Sequence, residues 1–491
     1  MMASHTRRGL LKGAAVAAAG SVVGSGLGPG LFTAAAQTGG VAGKGGGSGA
    51  RPFLEGAFAP VTEELTAFDL KVTGRIPRDL DGRYLRNGPN ALGLEDVRAH
   101  HWMLGEGMVH GVRLRGGRAE WYRNRWVRSS QVTAKLGETY PGQAPPDDFA
   151  CNTHVIPYKG RVLALQEGGP LPYELDGELG TVRPYDFRST LEGAFTAHTK
   201  YDAAADELHA IAYYPTWDHV RHIMIDRTGR VARTTRVPVA DAPMMHDFAL
   251  TERHVILYDL PVTFSMDLAA GGAGLPYAWN PAHPARVGIM PRDGDGSSVR
   301  WIDIDPCFVF HTLNAYEDGE RLVVDVARYP EMLVGGRLEE VPAPALDRWT
   351  IDPAAGKLSS QRVDDRPQEF PRVDERLVSR PHRYAYTVSA AELLRSKAGE
   401  TLLRHDYATG RVEAREFPDG AAVGEAVFAP RSPDAAEDDG YVMTLAFDPE
   451  RGATDLIILA ARDFTGEPVA RVHLPVRVPA GFHGSWVPDQ N

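Results

Sequence analysis

Short runs of apolar and β-branched residues recur along this chain, separated by glycine, proline, aspartate and asparagine. Arg161-Val162-Leu163-Ala164-Leu165, His254-Val255-Ile256-Leu257-Tyr258, Arg321-Leu322-Val323-Val324-Asp325-Val326 and Asp455-Leu456-Ile457-Ile458-Leu459 are examples. Many short runs with this punctuation predict strands and an all-β fold. Segments with a 3.6-residue period are scarce, and Ala390-Ala391-Glu392-Leu393-Leu394-Arg395 predicts one short helix. No repeat of fixed length stands out, so periodicity alone does not name the architecture.

The N-terminus departs from this pattern. Thr6-Arg7-Arg8-Gly9-Leu10-Leu11-Lys12 precedes a weakly apolar stretch from Ala14 to Leu31, interrupted by Pro29. That stretch makes a poor membrane span. A twin arginine in front of it predicts a bacterial twin-arginine export signal over residues 1–36, cleaved after Ala34-Ala35-Ala36, before Gln37. The mature chain is then expected in the periplasm or outside the cell. Residues 37–52 are mostly Gly, Ala and Ser and predict a flexible linker. Residues 53–491 are expected to form a single unit, because repetitive all-β folds run large without dividing.

Charge and cysteine usage narrow the field. The formal net charge is -11 and no basic run is present, which argues against a nucleic-acid partner. Two cysteines, Cys151 and Cys307, do not make the framework of a small secreted domain, and the sequence leaves their pairing open. It also leaves open whether the protein is a monomer or a homodimer.

Four of the 17 histidines stand in distinctive contexts: Ala197-His198-Thr199-Lys200, Met245-His246-Asp247-Phe248, Phe310-His311-Thr312-Leu313-Asn314 and Gly481-Phe482-His483-Gly484. Most histidines are surface or hydrogen-bonded core residues, and these four lack the short spacing that puts two ligands on one turn. Four neutral imidazoles without a thiolate nevertheless suit a borderline metal such as iron(II). Each must be neutral to bind metal, so affinity should fall at acidic pH.

Further motifs set these histidines in order. They are Gly74-Arg75-Ile76-Pro77-Arg78-Asp79-Leu80-Asp81-Gly82, Tyr84-Leu85-Arg86-Asn87-Gly88-Pro89-Asn90, His100 to Gly111, Tyr122 to Arg128, and Val478-Pro479-Ala480-Gly481-Phe482-His483-Gly484. Together they resemble the carotenoid oxygenase family, which includes stilbene cleavers and retinoid isomerases, over nearly the whole chain after its leader. The resemblance implies a seven-bladed β-propeller with a dome of loops and short helices over one face. It implies His198, His246, His311 and His483 as ligands of one iron(II) per chain. Glu167, Glu369 and Glu425 would brace three of the imidazoles, with none for the fourth. His100, His101, His110 and His154 fall in matching segments as structural or pocket-lining residues.

The implied reaction uses dioxygen as co-substrate and cleaves a conjugated carbon–carbon double bond to two carbonyl products, with no side chain as acid or base. The partner is a hydrophobic or phenolic alkene, either a carotenoid or apocarotenoid, or a stilbene-like phenylpropanoid. Stilbene cleavers grip a phenol with Tyr, Lys and Phe; here Phe58 matches the Phe, His100 falls at the Tyr, and Lys135 lies near the Lys. The segment Leu275-Pro276-Tyr277-Ala278-Trp279 could instead join an apolar patch for peripheral membrane contact, or pack conventionally near Arg286. Thr199 stands where the family usually has Pro, which alters the turn and not the ligand, and two further departures could reshape the tunnel mouth: Met103-Leu104-Gly105-Glu106-Gly107-Met108 where many members have Phe-Asp-Gly-Asp-Gly-Met, and Ala91 where Pro often follows the Asn of Asn-Gly-Pro-Asn. Two other readings remain, an iron-dependent isomerase or hydrolase on the same scaffold and a non-catalytic exported propeller that binds a hydrophobic ligand.

Overall fold

The apolar runs become the middle strands of blades stacked around an axis. In this computed structural model the described residues are 53–489, apart from 95–99, 141–143, 146–147, 339–340 and 396. The predicted export signal (1–36) and linker (37–52) lie outside them. Seven antiparallel sheets of four to six strands form the blades of a β-propeller, with one extra two-stranded ribbon. We number the blades in chain order. Blade I starts with Gly82–Pro89, and blades II to VII follow with innermost strands at His154–Tyr158, Lys200–Asp202, Ala249–Leu250, Phe308–Asp318, Gln368–Arg372 and the pair Ala422–Val423 and Val427–Pro430.

Each blade packs between two others, so its middle strands are covered on both faces. That is why the run His254–Asp259 is buried almost throughout rather than alternating. Outer strands such as Lys357–Asp364 and Arg411–Glu416 face water and carry mixed or polar sequences. The helical content is small. The expected helix near residues 390–395 is a 3₁₀ turn, Leu393–Arg395, and the α-helices of the described residues are Ser130–Leu136 and Met266–Ala270. Ser129 and Ser265 cap their N-termini by accepting from backbone N–H groups.

Both ends of the chain close the ring. Gly484–Pro488 adds to blade I inside Gly82–Pro89, with Arg86 opposite Gly484. Lys71–Gly74 adds to the outside of blade VII against Ala470–His473. Residues from distant parts of the sequence therefore finish the first and last blades, and no inner edge is left open there.

The segment Leu275 to Trp279 does not form an apolar surface patch. Tyr277–Trp279 pairs with Val262–Phe264, Tyr277 is fully buried, and Trp279 is half-buried. Cys151 and Cys307 are both buried and free. Among the described residues, no helix is long and apolar enough to cross a membrane.

Blade I meets blade II through a close backbone approach at Gly107, where an added Cβ would lie 1.6 Å from the Cys151 carbonyl oxygen. Gly107→Ala should therefore cost about 3 kcal/mol through overpacking. The check is a lower denaturant midpoint at unchanged slope.

Candidate metal centre

The innermost strands converge at the axis, and each blade delivers one charged or imidazole group there. His198 precedes Lys200–Asp202 of blade III, His246 precedes Ala249–Leu250 of blade IV, His311 lies within Phe308–Asp318 of blade V, and His483 precedes the closing strand of blade I. Glu167 follows Arg161–Leu165 of blade II, Glu369 lies in Gln368–Arg372 of blade VI, and Glu425 sits between the two short strands of blade VII. With His154, at the start of the innermost strand of blade II, counted for that blade in place of Glu167, these residues are spaced 44 to 65 positions apart up to His483. That irregular period is the repeat of the fold, blurred by loops of different length.

The four rings form one cluster. His198 lies 4.3, 5.0 and 4.8 Å, centroid to centroid, from His246, His311 and His483. Ligand atoms of His198, His311 and His483 fall within 4.8 Å of one another, and His246 joins through its Nε2, 3.4 Å from His311 Nε2. The outer nitrogens are held by carboxylates, with His246 Nδ1 2.6 Å from Glu167, His311 Nδ1 2.6 Å from Glu369 and His483 Nδ1 2.9 Å from Glu425. The three expected Glu–His pairs are thus present, and among the described residues His198 has no carboxylate.

These bonds set the tautomers. An imidazole that donates its Nδ1 proton to a carboxylate presents a bare lone pair at Nε2. His246 and His311 then aim two lone pairs at each other across 3.4 Å, an arrangement that repels unless a cation lies between them. His198 Nε2 is buried without a hydrogen-bond partner. Buried polar atoms are rarely left so. The donor set therefore fits a metal ion, with imidazole nitrogens suited to iron(II) among others.

The surroundings keep the site dry. Burial and the neighbouring imidazoles hold His198 and His483 well below the usual histidine range. Burial opposes protonation of His311 as well, but the Glu369 carboxylate outweighs it and the net shift is upward. Burial also pushes His154 down to about 3; its Nδ1 bonds the Ala197 carbonyl and its ring lies 5.2 Å from that of His483.

A cavity of about 760 Å³ opens from His246, His311 and His483 toward the loops above the propeller. Phe310, Phe370, Phe482, Met244, Leu275 and Leu394 contribute apolar walls. Its polar groups include His100, His101 and Lys135, whose ammonium pairs with the Glu106 carboxylate. His110 is away from the cavity and bonds Tyr122. Phe58 corrects the expectation. It does not line the cavity but packs one layer behind, edge-on to Trp102, whose ring does. Phe58 ends the Gly56–Phe58 turn buried, and Trp102, against which it packs, takes the place at the cavity wall. On the other side of the rings, a void of about 70 Å³ touches His154, His198, Lys200, Asp247 and Arg372.

Several site residues escaped the sequence reading. Tyr213 donates to Glu167 and Tyr329 donates to Glu369 at 3.1 Å. Asp247 pairs with Lys200 at 2.9 Å and accepts from the Thr312 N–H at 2.7 Å, so it ties blades III, IV and V together beside their histidines. Their signal was adjacency, since Lys200, Asp247 and Thr312 sit within two residues of His198, His246 and His311. Phe370 adopts a left-handed backbone (φ 51°) that places its ring 5.6 and 5.5 Å from His311 and His483. Such strain persists only where surrounding contacts enforce it.

A family profile described as retinal pigment epithelial membrane protein matches residues 58–488. The chain is 44% identical to the carotenoid cleavage oxygenase of Mycobacterium tuberculosis, over 89% of this chain and 97% of that one. It is 30% identical to the carotenoid 9,10(9',10')-cleavage dioxygenase of Crocus sativus, over 89% of each. Among solved structures it is similar to the lignostilbene dioxygenase of Pseudomonas brassicacearum, with TM-score 0.80, 27% identity, and 89% and 98% of the two chains covered.

The geometry predicts one divalent metal per chain. Glu369→Gln should weaken it by about 10- to 100-fold, the usual effect of removing a carboxylate behind a ligating histidine. Chelator competition followed by elemental analysis measures both.

Proposed function

We propose, on the premise that this chain belongs to the retinal pigment epithelial membrane protein family of carotenoid oxygenases, that it is an iron(II) oxygenase. It splits one conjugated carbon–carbon double bond of a hydrophobic or phenolic alkene into two carbonyl products. The observation that carries this reading is the cluster of four imidazoles opening onto an apolar cavity of about 760 Å³. Relatives named for carotenoid cleavage and a structural neighbour named lignostilbene dioxygenase support it.

Iron(II) held by His198, His246, His311 and His483 would supply the activation of dioxygen. The rest falls to the chain. Phe310, Phe370 and Phe482 offer flat apolar faces against which a conjugated body can lie beside the imidazoles. The loops above exclude water and hold the alkene in place. Tyr213 and Tyr329 are committed as donors to Glu167 and Glu369, so neither is free to protonate a substrate. His100 and the Lys135–Glu106 pair can hydrogen-bond a hydroxyl or carbonyl at one end of the alkene. The protein thus contributes orientation and dryness, with no acid or base.

Iron(II)-loaded protein lacking residues 1–36, offered a hydroxystilbene and an apocarotenal in parallel, should consume dioxygen and release aldehydes from one of them. An oxygen electrode with mass spectrometry of the products reads both. Turnover without oxygen uptake would instead place the chain with the isomerases and hydrolases.

We propose as well that residues 1–36 direct export, a reading supported by Thr6-Arg7-Arg8-Gly9-Leu10-Leu11-Lys12 and the small residues at 34–36. Replacing both arginines (Arg7→Lys with Arg8→Lys) should keep the precursor in the cytoplasm, as fractionation and immunoblotting would show.

A further inference from the structure

The three carboxylates behind the histidines are not equivalent. Glu167 and Glu369 each turn their second oxygen to a neutral phenol, Tyr213 and Tyr329. Glu425 turns its second oxygen to a cation. Arg372 Nη1 donates to Glu425 Oε2 at 2.6 Å, and the same Oε2 accepts from the Gly484 N–H at 3.0 Å. Arg372 Nη1 also donates to the Gly484 carbonyl at 3.0 Å. The guanidinium therefore grips the carboxylate behind His483 and the backbone just after it.

Arg372 is largely buried, with 11% of its side chain exposed, and Glu425 is 2% exposed. The far edge of the guanidinium is held by Glu375 at 2.7 Å. Glu375 is 59% exposed, so water screens its charge at the axis. Lys200 and Asp247 are the other charged pair beside the rings and cancel each other at 2.9 Å.

The charges then add up in a definite way. Three carboxylates and one buried guanidinium leave two negative charges beside four neutral imidazoles. Two negative charges match a divalent ion and leave a trivalent ion with an excess positive charge. In a dry site such an excess is costly, because charge interactions are poorly screened there. A carboxylate that hydrogen-bonds a ligating imidazole also makes it a stronger donor, and neutralising that carboxylate weakens the effect.

We infer that Arg372 is a positioning residue that balances the charge of Glu425 behind His483 and so favours the divalent over the trivalent state of the metal. This rests on the iron reading above. It assigns Arg372 a role apart from anchoring the strand Gln368–Arg372. It also explains why blade VI carries both Glu369 and Arg372, which act on two histidines of other blades.

The test is an EPR-monitored redox titration of iron-loaded protein. Arg372→Met should lower the ferric-to-ferrous midpoint potential and speed oxidation of the ferrous protein in air by ~10-fold, the size expected for one uncompensated charge at this range. Arg372→Lys keeps the charge and should stay close to wild type. Glu425→Gln should shift the potential upward, and the Arg372→Met/Glu425→Gln pair should return it toward wild type. A merely structural role predicts no such reversal. An unchanged potential in Arg372→Met, or equal shifts in Arg372→Met and Arg372→Lys, overturns the inference. Should Arg372→Met fail to fold, Glu425→Gln decides: an upward shift supports the charge balance and no shift overturns it. A wild-type chain that binds no iron would sink the metal reading itself, whereas iron binding with an unmoved potential sinks this inference alone.

Discussion

Bare imidazole lone pairs brought to one buried point are the constraint on which the rest of this structure depends. Left alone they repel and stay unsatisfied, so the arrangement demands a cation, and three of the four rings have rigid support behind them. The support comes from other blades. Glu167 of blade II holds His246 of blade IV, Glu369 of blade VI holds His311 of blade V, and Glu425 of blade VII holds His483 of blade I. Ring closure and site assembly are therefore one event. The strand Gly484–Pro488 that closes blade I begins just after His483, and its first N–H bonds the same Glu425 carboxylate.

The buried charges are tolerable because they are shared. A carboxylate stripped of its partner in such a place costs several kcal/mol. Asp247 shows how the cost is avoided, since it is nearly inaccessible yet engages Lys200, the Phe248 N–H and the Thr312 N–H. Those partners belong to three successive blades and adjoin three histidines. A shift of any one blade would leave Asp247 short of a partner, so the network fixes the relative rotation of the blades as well as the rings.

The sequence disclosed the parts of this design that rest on local chemistry. Middle strands were legible because both faces of a blade are covered, so residues 162–165 and 456–460 read as continuous apolar runs. Outer strands such as Arg411–Glu416 face water and carry no such run. The four histidines and three glutamates were legible only through the motifs around them. Their spacing follows loop lengths rather than a period, and imidazoles brought together by topology leave no mark on local pattern. Phe58 was misplaced for a related reason. Its motif fixes where it enters the core but not which of several stacked rings reaches the cavity. Tyr213, Tyr329 and Arg372 were invisible, because a partner for a carboxylate can come from any blade and each looks like an ordinary strand residue.

The asymmetry between the two sides of the centre bears on how substrates are told apart. Toward the propeller, the small void is lined by Lys200, Asp247 and Arg372, groups already committed to holding the site. Toward the dome, the walls nearest the imidazoles are aromatic and nearly featureless. Apolar walls hold a conjugated chain in the right plane but do not fix how far along it the metal sits, since sliding by one double bond exchanges one apolar contact for another. Register must come from groups with a preferred partner. In this cavity they include His100, His101 and the Lys135–Glu106 pair. The reach of Glu106 to Lys135 tethers an ammonium that could otherwise meet a ligand directly. The polar groups of the dome are therefore the ones placed to set the register of a bound conjugated chain.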